Sequence, residues 1–296
     1  MFLESWPLKT STQPEGCATC QTRTCKTPAY RISCGHDVRG LGISAFFPAY
    51  NDAATIASVV IGGVRTLESL TADYEVIVVD DGSRDATPEI LAELERLYPG
   101  RLRVERHARN RGYGGALKTG IAACTKEWIF YTDGDAQYDV RELALLAAQA
   151  GDHVDVVNGY KIARSDPFYR KVIGVLYNAF VHAAFRLHIR DVDCDFRLMR
   201  RSLFEKLDLK SRSGTICVEM IKKLQDAGCR FTEVPVHHFH RSVGRSQFFR
   251  PYWLLKTFVD LVVLWRDLMW AAPATPPVAA LPEPAAARED KRSSLP

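Results

Sequence analysis

The sequence lacks any apolar run long enough to cross a membrane. None of its stretches reaches the ~18 uncharged residues that a spanning helix needs. The amino terminus carries Glu4 early and has no apolar core of the signal-peptide type. These absences predict a protein that stays in the cytoplasm, so that any membrane contact is peripheral and on the cytoplasmic face.

Cysteine and excess charge are also sparse over most of the chain. Four of the eight cysteines lie in the first 34 residues and the others are scattered, unlike the dense cysteines of secreted disulfide scaffolds. Cys17 and Cys20 have the two-residue spacing of a zinc site, but no second pair follows. The formal net charge of +4 is too small to indicate a nucleic-acid partner.

Composition divides the 296 residues into four segments. Residues 1–40 are polar and irregular, and residues 271–296 are rich in Pro and Ala, so we expect a disordered leader and a disordered tail. Residues 41–250 should form one folded domain. Residues 251–270 should form an amphipathic helix that lies at an interface with lipid, packs on the domain or forms a dimer.

Strand-like and helix-like segments alternate through the first half. Strand patterns cover residues 42–48, 74–80, 102–106, 128–132 and 154–159, with helical segments between them, including 53–70 and 140–150. This alternation predicts an α/β fold with a mostly parallel sheet and helices on both faces. Further helices are expected over residues 171–185 and 216–227, and a final strand over 229–236.

The most informative stretch is residues 128–139, where an apolar strand ends in carboxylates. Asp133 and Asp135 follow the strand, and the ligands of open α/β sheets bind at the carboxyl ends of strands. With the amide oxygen of Gln137 they offer hard oxygen ligands for Mg²⁺ or Mn²⁺ held partly by substrate phosphates. The alternative is an Asp-Gly turn with solvated acids.

Two other turns carry residues suited to a nucleotide. The second strand ends in Asp80 and Asp81, which could hydrogen-bond a base or ribose, although Asp81 could instead shape the turn. Glycines in residues 110–115 could let backbone N–H groups approach a phosphate, or could allow close packing of a helix on the sheet. Leu117 occupies the third glycine place of the dinucleotide fingerprint, which argues against nicotinamide binding.

Four segments in this order resemble the motifs of the family 2 glycosyltransferases, which have the GT-A fold. They are residues 48–52, 78–87, 110–112 and 133–137, and the resemblance extends over residues 42–249. The Gln after the second Asp is similar to that of the dolichol- or polyprenyl-phosphate sugar synthases. This family implies a nucleoside-diphosphate sugar donor, a divalent metal and inversion at the anomeric carbon.

The resemblance assigns donor-side roles by position. It implies that the nucleotide contacts Pro48, Tyr50 and Asp52, and that its base contacts Asp81. It also implies that Mg²⁺ or Mn²⁺ and the donor diphosphate are held by Asp133, Asp135 and Gln137. A metal between these groups is needed because carboxylates alone would repel the diphosphate.

Basic residues in the second half are candidates for phosphate contacts. Arg164 matches a family Arg, whereas Lys161 replaces another and loses its bidentate geometry; a solvated surface cluster is the alternative. Arg241 and Ser246 match a later motif of the family, in which Gln247 stands where Lys is usual. The family pattern also places Arg197 among the residues that bind the donor or its phosphates.

The acceptor-side segment, residues 190–198, leaves the acceptor open. Asp193 or Asp195 could act as a general base for a hydroxyl acceptor, or could orient Arg197 by ion pairing. A phosphate acceptor needs no base, because its second pKa of about 6 makes it an anion at neutral pH. In the family, Gly is usual where Asp195 stands.

The sequence as a whole predicts a metal-dependent, inverting glycosyltransferase. Its expected donor is a nucleoside-diphosphate sugar, and its expected acceptor is a polyprenyl (dolichyl-type) phosphate at the membrane face. Transfer to a sugar hydroxyl of a glycan or glycolipid is one alternative. A non-catalytic protein that binds nucleotide and serves as a scaffold is the other.

Overall fold

A seven-stranded sheet forms the centre of the protein. The computed structural model describes residues 38–164, 168–240 and 251–270. Its strands are β1 (Ile43–Ala49), β2 (Tyr74–Asp80), β3 (Leu102–Arg106), β4 (Trp128–Thr132), β5 (Val156–Arg164), β6 (Phe196–Arg200) and β7 (Phe231–His238). The order across the sheet is β3-β2-β1-β4-β6-β5-β7, and β6 is antiparallel to β4 and β5, while the other pairs are parallel. The predicted α/β fold with a mostly parallel sheet is confirmed.

Helices cover both faces of this sheet. They are α1 (Ile56–Leu70), α2 (Thr87–Leu97), α3 (Tyr113–Ala123), α4 (Leu143–Ala147), α5 (Phe168–Phe185), α6 (Ile216–Asp226) and α7 (Pro251–Met269). Short 3-10 helices lie at Val38–Gly40, Val140–Glu142 and Arg201–Glu205. The helix predicted over residues 140–150 is present, but it begins as a 3-10 turn and ends at Ala147. Asp139 caps the 3-10 turn by accepting a hydrogen bond from the Arg141 N–H, and α4 follows as a separate short helix.

Alternating side chains of β1 serve two separate cores. Phe47 packs into the core beneath α1, and Phe46 packs into the opposite core beneath α3. A methyl group at Gly120 would lie 2.2 Å from the Phe46 ring, so α3 approaches the sheet at a distance that only glycine permits. A third apolar cluster joins α5, α6 and α7.

The second half contains the largest departures from the predicted elements. The sequence predicts that β5 ends at Gly159, but it continues to Arg164 because β7 pairs along its length, with a register shift after Lys161. The sequence does not predict β6, since its second residue, Arg197, is untypical of a buried strand. The leader and tail assigned to residues 1–40 and 271–296 lie largely or wholly outside the described residues, and the division into segments stays a prediction.

No helix within the described ranges is long and apolar enough to cross a membrane.

Candidate active site

Two carboxylates from distant parts of the chain meet where β4 and β6 run side by side. Asp133 follows the last residue of β4, and Asp195 precedes the first residue of β6. Thr132 pairs with Phe196 across these antiparallel strands, so Asp133 and Asp195 are the next pair along. The antiparallel strand thus adds an acidic side chain to the carboxyl end of β4.

The carboxyl group of Asp133 is held by Tyr113, the first residue of α3. The Tyr113 hydroxyl donates a hydrogen bond to Asp133 Oδ1 over 2.8 Å. Burial raises the pKa of Asp133 well above its usual range, and the charges of Asp195 and Asp135 raise it further. The site therefore concentrates negative charge that a bound cation would stabilise.

A tight turn orients Asp135 and Gln137. Asp135 is buried, and its Oδ1 accepts a hydrogen bond from the Gln137 N–H over 3.0 Å. Between them, Ala136 has a φ of 57°, in the left-handed region that few non-glycine residues adopt. The Gln137 side-chain nitrogen donates to the carbonyl oxygen of Phe239, just beyond β7, over 3.1 Å. This bond fixes the amide whose oxygen would ligate a cation.

These groups fit a divalent cation that shares its ligands with a substrate. Within the described residues, no three His, Cys, Asp or Glu side chains converge to hold a metal ion by themselves. Mg²⁺ in phosphate-transfer sites is typically bound by one or two carboxylates, with phosphate oxygens and water completing its shell. Asp133, Asp135 and Gln137 are donors of this hard-oxygen type, and the like charges of Asp195 and Asp135, which add to the effect of burial in raising the pKa of Asp133, would be offset by a cation.

The turn after β1 is tied to the turn after β2. Asn51 has a φ of 56°, and its N–H donates to Ser83 Oγ over 3.0 Å. Its side-chain oxygen accepts from the Arg84 N–H over 2.8 Å, and the Asp52 N–H donates to Thr87 Oγ1 over 3.0 Å. Together these bonds fix the turn after β1 and the turn after β2 against each other at one edge of the sheet.

The predicted nucleotide contacts lie at the end of β1 and in the turn that follows it, beside the acidic motif. Pro48 is buried in β1, and its carbonyl oxygen accepts from the Gly134 N–H over 3.1 Å. Tyr50 is 41% exposed, and its N–H donates to Asp52 Oδ2 over 3.0 Å. The charge of Asp52 also contributes to the raised pKa of Asp133. Contact of Pro48, Tyr50 and Asp52 with a nucleotide stays a prediction.

Asp81 is buried and organises the glycine-rich turn before α3. Its Oδ1 accepts from the Arg111 N–H over 2.7 Å, and its Oδ2 accepts from the Gly112 N–H over 2.9 Å. His107 Nδ1 lies 2.6 Å from the same Oδ1, and His107 Nε2 lies 2.9 Å from Thr119 Oγ1. The structure therefore gives Asp81 a turn-shaping role, but in the turn before α3 rather than in its own turn after β2, and its contact with a base stays a prediction.

Arg197 lies inside the protein rather than on a donor-binding surface. Its Nε donates to Asn158 Oδ1 over 2.6 Å, and its other nitrogens donate to the Tyr131 hydroxyl and the Val192 carbonyl oxygen. Asp195 Oδ1 lies 3.8 Å from Nη1. With no exposed surface, Arg197 cannot contact the donor directly, which corrects the role expected from its position in the family pattern. It acts on the site by positioning Tyr131 and Asp195.

Asp193 lies in a partly buried polar pocket next to α5. Burial raises its pKa to about 6, although the positive charge of Lys161 opposes the shift. Lys161 donates to the Asp193 carbonyl oxygen over 2.6 Å and lies 3.8 Å from Asp191 Oδ2, so its charge is used internally. Tyr177 of α5 hydrogen-bonds Asp193. The pocket therefore joins the acceptor-side segment to α5.

Three predicted phosphate contacts cannot be placed. Arg164 ends β5, but its side chain lies outside the described residues. Arg241 and Ser246 also lie outside them.

Three further side chains of the site carry little or no signal in the sequence. Tyr113 donates a hydrogen bond to Asp133, and the one feature that distinguishes it in the sequence is that it is an aromatic residue among glycines. The Tyr131 hydroxyl lies 3.4 Å from Asp195 Oδ1. In the sequence, Tyr131 is distinguished by its position two residues before Asp133. Cys217 of α6 donates from its Sγ to Asp195 Oδ1 over 3.1 Å, and nothing in the sequence distinguishes it.

Comparison with known proteins gives one family and one recurring fold. The model of the family described as Glycosyl transferase family 2 matches residues 44–208, more than half of the chain. One structure with a similar fold is glucosyl-3-phosphoglycerate synthase from Mycobacterium tuberculosis in complex with uridine-diphosphate. Its sequence is 18% identical to this chain and the TM-score is 0.60, and the alignment covers 82% of this chain and 87% of that one.

Two further structures of the same enzyme are similarly close. The complex with Mn²⁺ and UDP-glucose has a TM-score of 0.58 at 18% identity, covering 82% of both chains. The complex with Mn²⁺, uridine-diphosphate and phosphoglyceric acid has a TM-score of 0.57 at 19% identity, covering 82% of this chain and 81% of that one. At such identity the likeness shows a shared fold.

Proposed function

Because the chain belongs to glycosyl transferase family 2, we propose that it transfers a sugar from a nucleoside-diphosphate sugar to a polyprenyl phosphate of the dolichyl type, inverting the anomeric carbon. It is a glycosyltransferase with the GT-A fold. The observation that carries the proposal is the meeting of Asp133, Asp135 and Asp195 at the carboxyl end of β4. This edge is where an open α/β sheet binds its ligands.

On the donor side, the residues of this chain would hold and orient the diphosphate. A bound Mg²⁺ or Mn²⁺ would neutralise the charge that develops on the leaving nucleoside diphosphate. Asp133, Asp135 and Gln137 would hold that ion, and Tyr113 would fix which oxygen of Asp133 faces it. The similar enzyme from M. tuberculosis was crystallised with Mn²⁺ and UDP-glucose, which supports this donor class.

On the acceptor side, the surroundings of Asp193 favour a lipid phosphate. Tyr177 reaches Asp193 from α5, and the same helix presents Val175, Leu176 and Phe180 on its exposed side. An apolar surface beside the site suits the hydrocarbon chain of a polyprenyl phosphate. Its phosphate is already nucleophilic at neutral pH and requires no general base.

A hydroxyl acceptor is the second candidate, and one observation favours it. A carboxylate whose pKa is raised to about 6, as burial does for Asp193, is suited to accept a proton near neutral pH. The similar structures are of an enzyme named for 3-phosphoglycerate, and one holds phosphoglyceric acid. A small phosphorylated hydroxy acid is therefore a concrete acceptor to test.

Donor binding is the first experiment. Calorimetry would titrate UDP, GDP and their common sugars into the wild type, with Mn²⁺ and with a chelator, and into Asp135→Asn. We expect binding that needs the metal and weakens at least about tenfold in the variant, since a charged ligand is lost. An absence of nucleotide binding under every condition would overturn the donor assignment.

The acceptor is tested by transfer from the donor so identified. Polyprenyl phosphate and 3-phosphoglycerate would be compared as acceptors for the wild type and for Asp193→Asn. With a lipid phosphate, the variant should keep most of its turnover, because no proton must be removed. Loss of turnover with unchanged donor binding would favour the hydroxyl acceptor. The scaffold alternative predicts neither transfer nor donor hydrolysis.

A further inference from the structure

Helices α5 and α7 expose a continuous apolar surface. The side chains that form it are 46–65% exposed, and we call them the two-helix surface: Leu176, Phe180, Leu255, Phe258, Val259 and Val262. The rings of Phe180 and Phe258 lie 6.3 Å apart, so the exposed sides of the two helices are joined. Monomeric proteins rarely expose large contiguous apolar patches without a function.

This surface is distinct from the side of α7 that packs on the protein. Leu261 and Leu264 are buried in one cluster with Val181 and Phe185 of α5. A helix with apolar residues all around is typically buried on every side. Here one side is already used by the core, so the exposed side needs a partner of its own.

The charge of the neighbouring sequence indicates what that partner is. Residues 164–190 and 239–270, which contain or flank the two helices, carry ten Lys or Arg and three Asp or Glu. The rest of the chain carries 29 basic and 32 acidic residues. The excess of basic over acidic residues in the whole protein therefore resides in these two stretches. A second copy of the protein that docked by the same surface would bring positive charge against positive charge.

Tryptophans mark the carboxyl end of α7. Trp265 is 39% exposed and Trp270 is 78% exposed, with ring centroids 6.1 Å apart. Trp265 donates its Nε1–H to the Ala184 carbonyl oxygen over 3.0 Å, which satisfies its polar atom within the protein. Tryptophan is enriched at the boundary between lipid headgroups and acyl chains.

We propose that the two-helix surface docks the protein on an anionic lipid bilayer, with α5 and α7 lying in the headgroup region. Apolar side chains with basic neighbours are the features that bind a helix in the plane of such an interface. Tyr177 connects α5 to Asp193, so docking would hold the acceptor side of the site against the membrane. The inference deepens the proposed function and rests on it for the choice of a lipid-linked acceptor, whereas docking itself is measured without donor or acceptor.

The test is flotation of the purified full chain with vesicles. One set would contain phosphatidylcholine alone, and the other about a quarter phosphatidylglycerol, to supply negative charge. Phe258→Ser with Val262→Ser removes apolar contact without adding charge. Leu97→Ser is the matched control, because Leu97 of α2 is 64% exposed and belongs to another helix. Thermal melts and calorimetry with the donor nucleotide would accompany each variant.

We expect the wild type and Leu97→Ser to float with the anionic vesicles, and less so as salt rises. Partitioning of the double variant should fall about tenfold or more, since each immersed side chain contributes substantially. Flotation that is absent, or equal in the double variant, would overturn the proposal. So would a wild-type dimer that the double variant converts to monomer, with no vesicle binding. Donor binding that fails while flotation succeeds would overturn the proposed function and leave docking intact.

Discussion

At Asp133, the hydrogen bond from Tyr113 determines which carboxyl oxygen can face a bound cation. Burial raises the pKa of Tyr113, so its hydroxyl keeps its proton and remains a donor at neutral pH. The bond engages Asp133 Oδ1 and leaves Oδ2 as the oxygen without a Tyr113 hydrogen bond. Tyr113 is thus a positioning residue for a predicted metal ligand.

Tyr113→Phe should therefore weaken metal-dependent donor binding while preserving the fold. The Mn²⁺ concentration for half-maximal UDP binding should rise about fivefold, the value expected for one lost hydrogen bond. Calorimetry at fixed nucleotide would measure it, with Tyr98→Phe, after the end of α2, as the matched control. An unchanged Mn²⁺ requirement in Tyr113→Phe would mean that the tyrosine serves packing alone.

Arg197 acts on stability as well as on the site. Its guanidinium satisfies Asn158, Tyr131 and the Val192 carbonyl oxygen in the interior. Arg197→Met should lower the free energy of unfolding by about 3 kcal/mol, because buried polar groups lose their partner. Arg190→Met should change it by less than about 0.5 kcal/mol, since that side chain is 67% exposed. Urea denaturation would measure both, and equal effects would contradict the structural role of Arg197.

At the scale of elements, the close approach of α3 to the sheet positions Tyr113 at the site. Gly120 permits that approach, because a side chain there would meet the buried ring of Phe46. By itself, the sequence allows close packing as one of two explanations of the glycines that precede α3. At Gly112, where φ is 82°, an added Cβ would also lie 2.6 Å from the Arg212 carbonyl oxygen.

Gly120→Ala should lower the free energy of unfolding by about 2 kcal/mol, the usual cost of an overpacked core. Gly62→Ala is the matched control within α1, because an added Cβ there meets nothing within 4 Å. Gly62→Ala should raise the free energy of unfolding by about 0.5–1 kcal/mol, owing to helix propensity. Chemical denaturation would compare the two. Similar effects of the same sign would show that α3 can shift without cost.

At the scale of the whole molecule, Glu219 links α6 to the turn that carries Tyr113. The carboxylate accepts from the N–H groups of Lys210 and Ser211 over 2.9 and 2.7 Å. The Arg212 carbonyl oxygen then accepts from the Gly114 N–H over 3.0 Å. A single buried carboxylate thus fixes a loop from the second half against the first turn of α3.

The pKa of Glu219 makes this link dependent on pH. Burial by itself raises the pKa, but hydrogen bonds from Lys223, Ser211 and Lys210 lower it overall. A lowered pKa in the folded state means that the stabilisation is present above the unfolded pKa of about 4.3 and is lost as pH falls below it.

Glu219→Gln should therefore reduce the melting temperature at pH 7, and the difference from wild type should shrink below about pH 4. Melts followed by circular dichroism across pH would measure it. Glu93→Gln is the control, because Glu93 is 72% exposed on α2 and pairs with exposed Arg96 in a bridge of little energetic weight. A difference that stays constant with pH would contradict the electrostatic explanation.

The family and most strands of the first half could be predicted because their signals are local. An apolar run that ends in Asp133 and Asp135 marks a strand and its carboxyl end within a few residues. The internal roles of Lys161 and Arg197 could not be predicted in this way. A donor-binding role was expected for Arg197, and Lys161 stands where the family has an Arg, but the partners of both side chains come from elements far along the chain.

By itself, the sequence determined the alternation of strands and helices, the acidic end of β4 and the family to which they belong. These features repeat within windows of a few residues, where periodicity and turn chemistry act directly. Only the tertiary structure decided that β6 brings Asp195 beside Asp133, and that α5 and α7 share an exposed apolar surface. Such pairings depend on long-range packing and on burial shared between elements, which no local pattern of residues specifies.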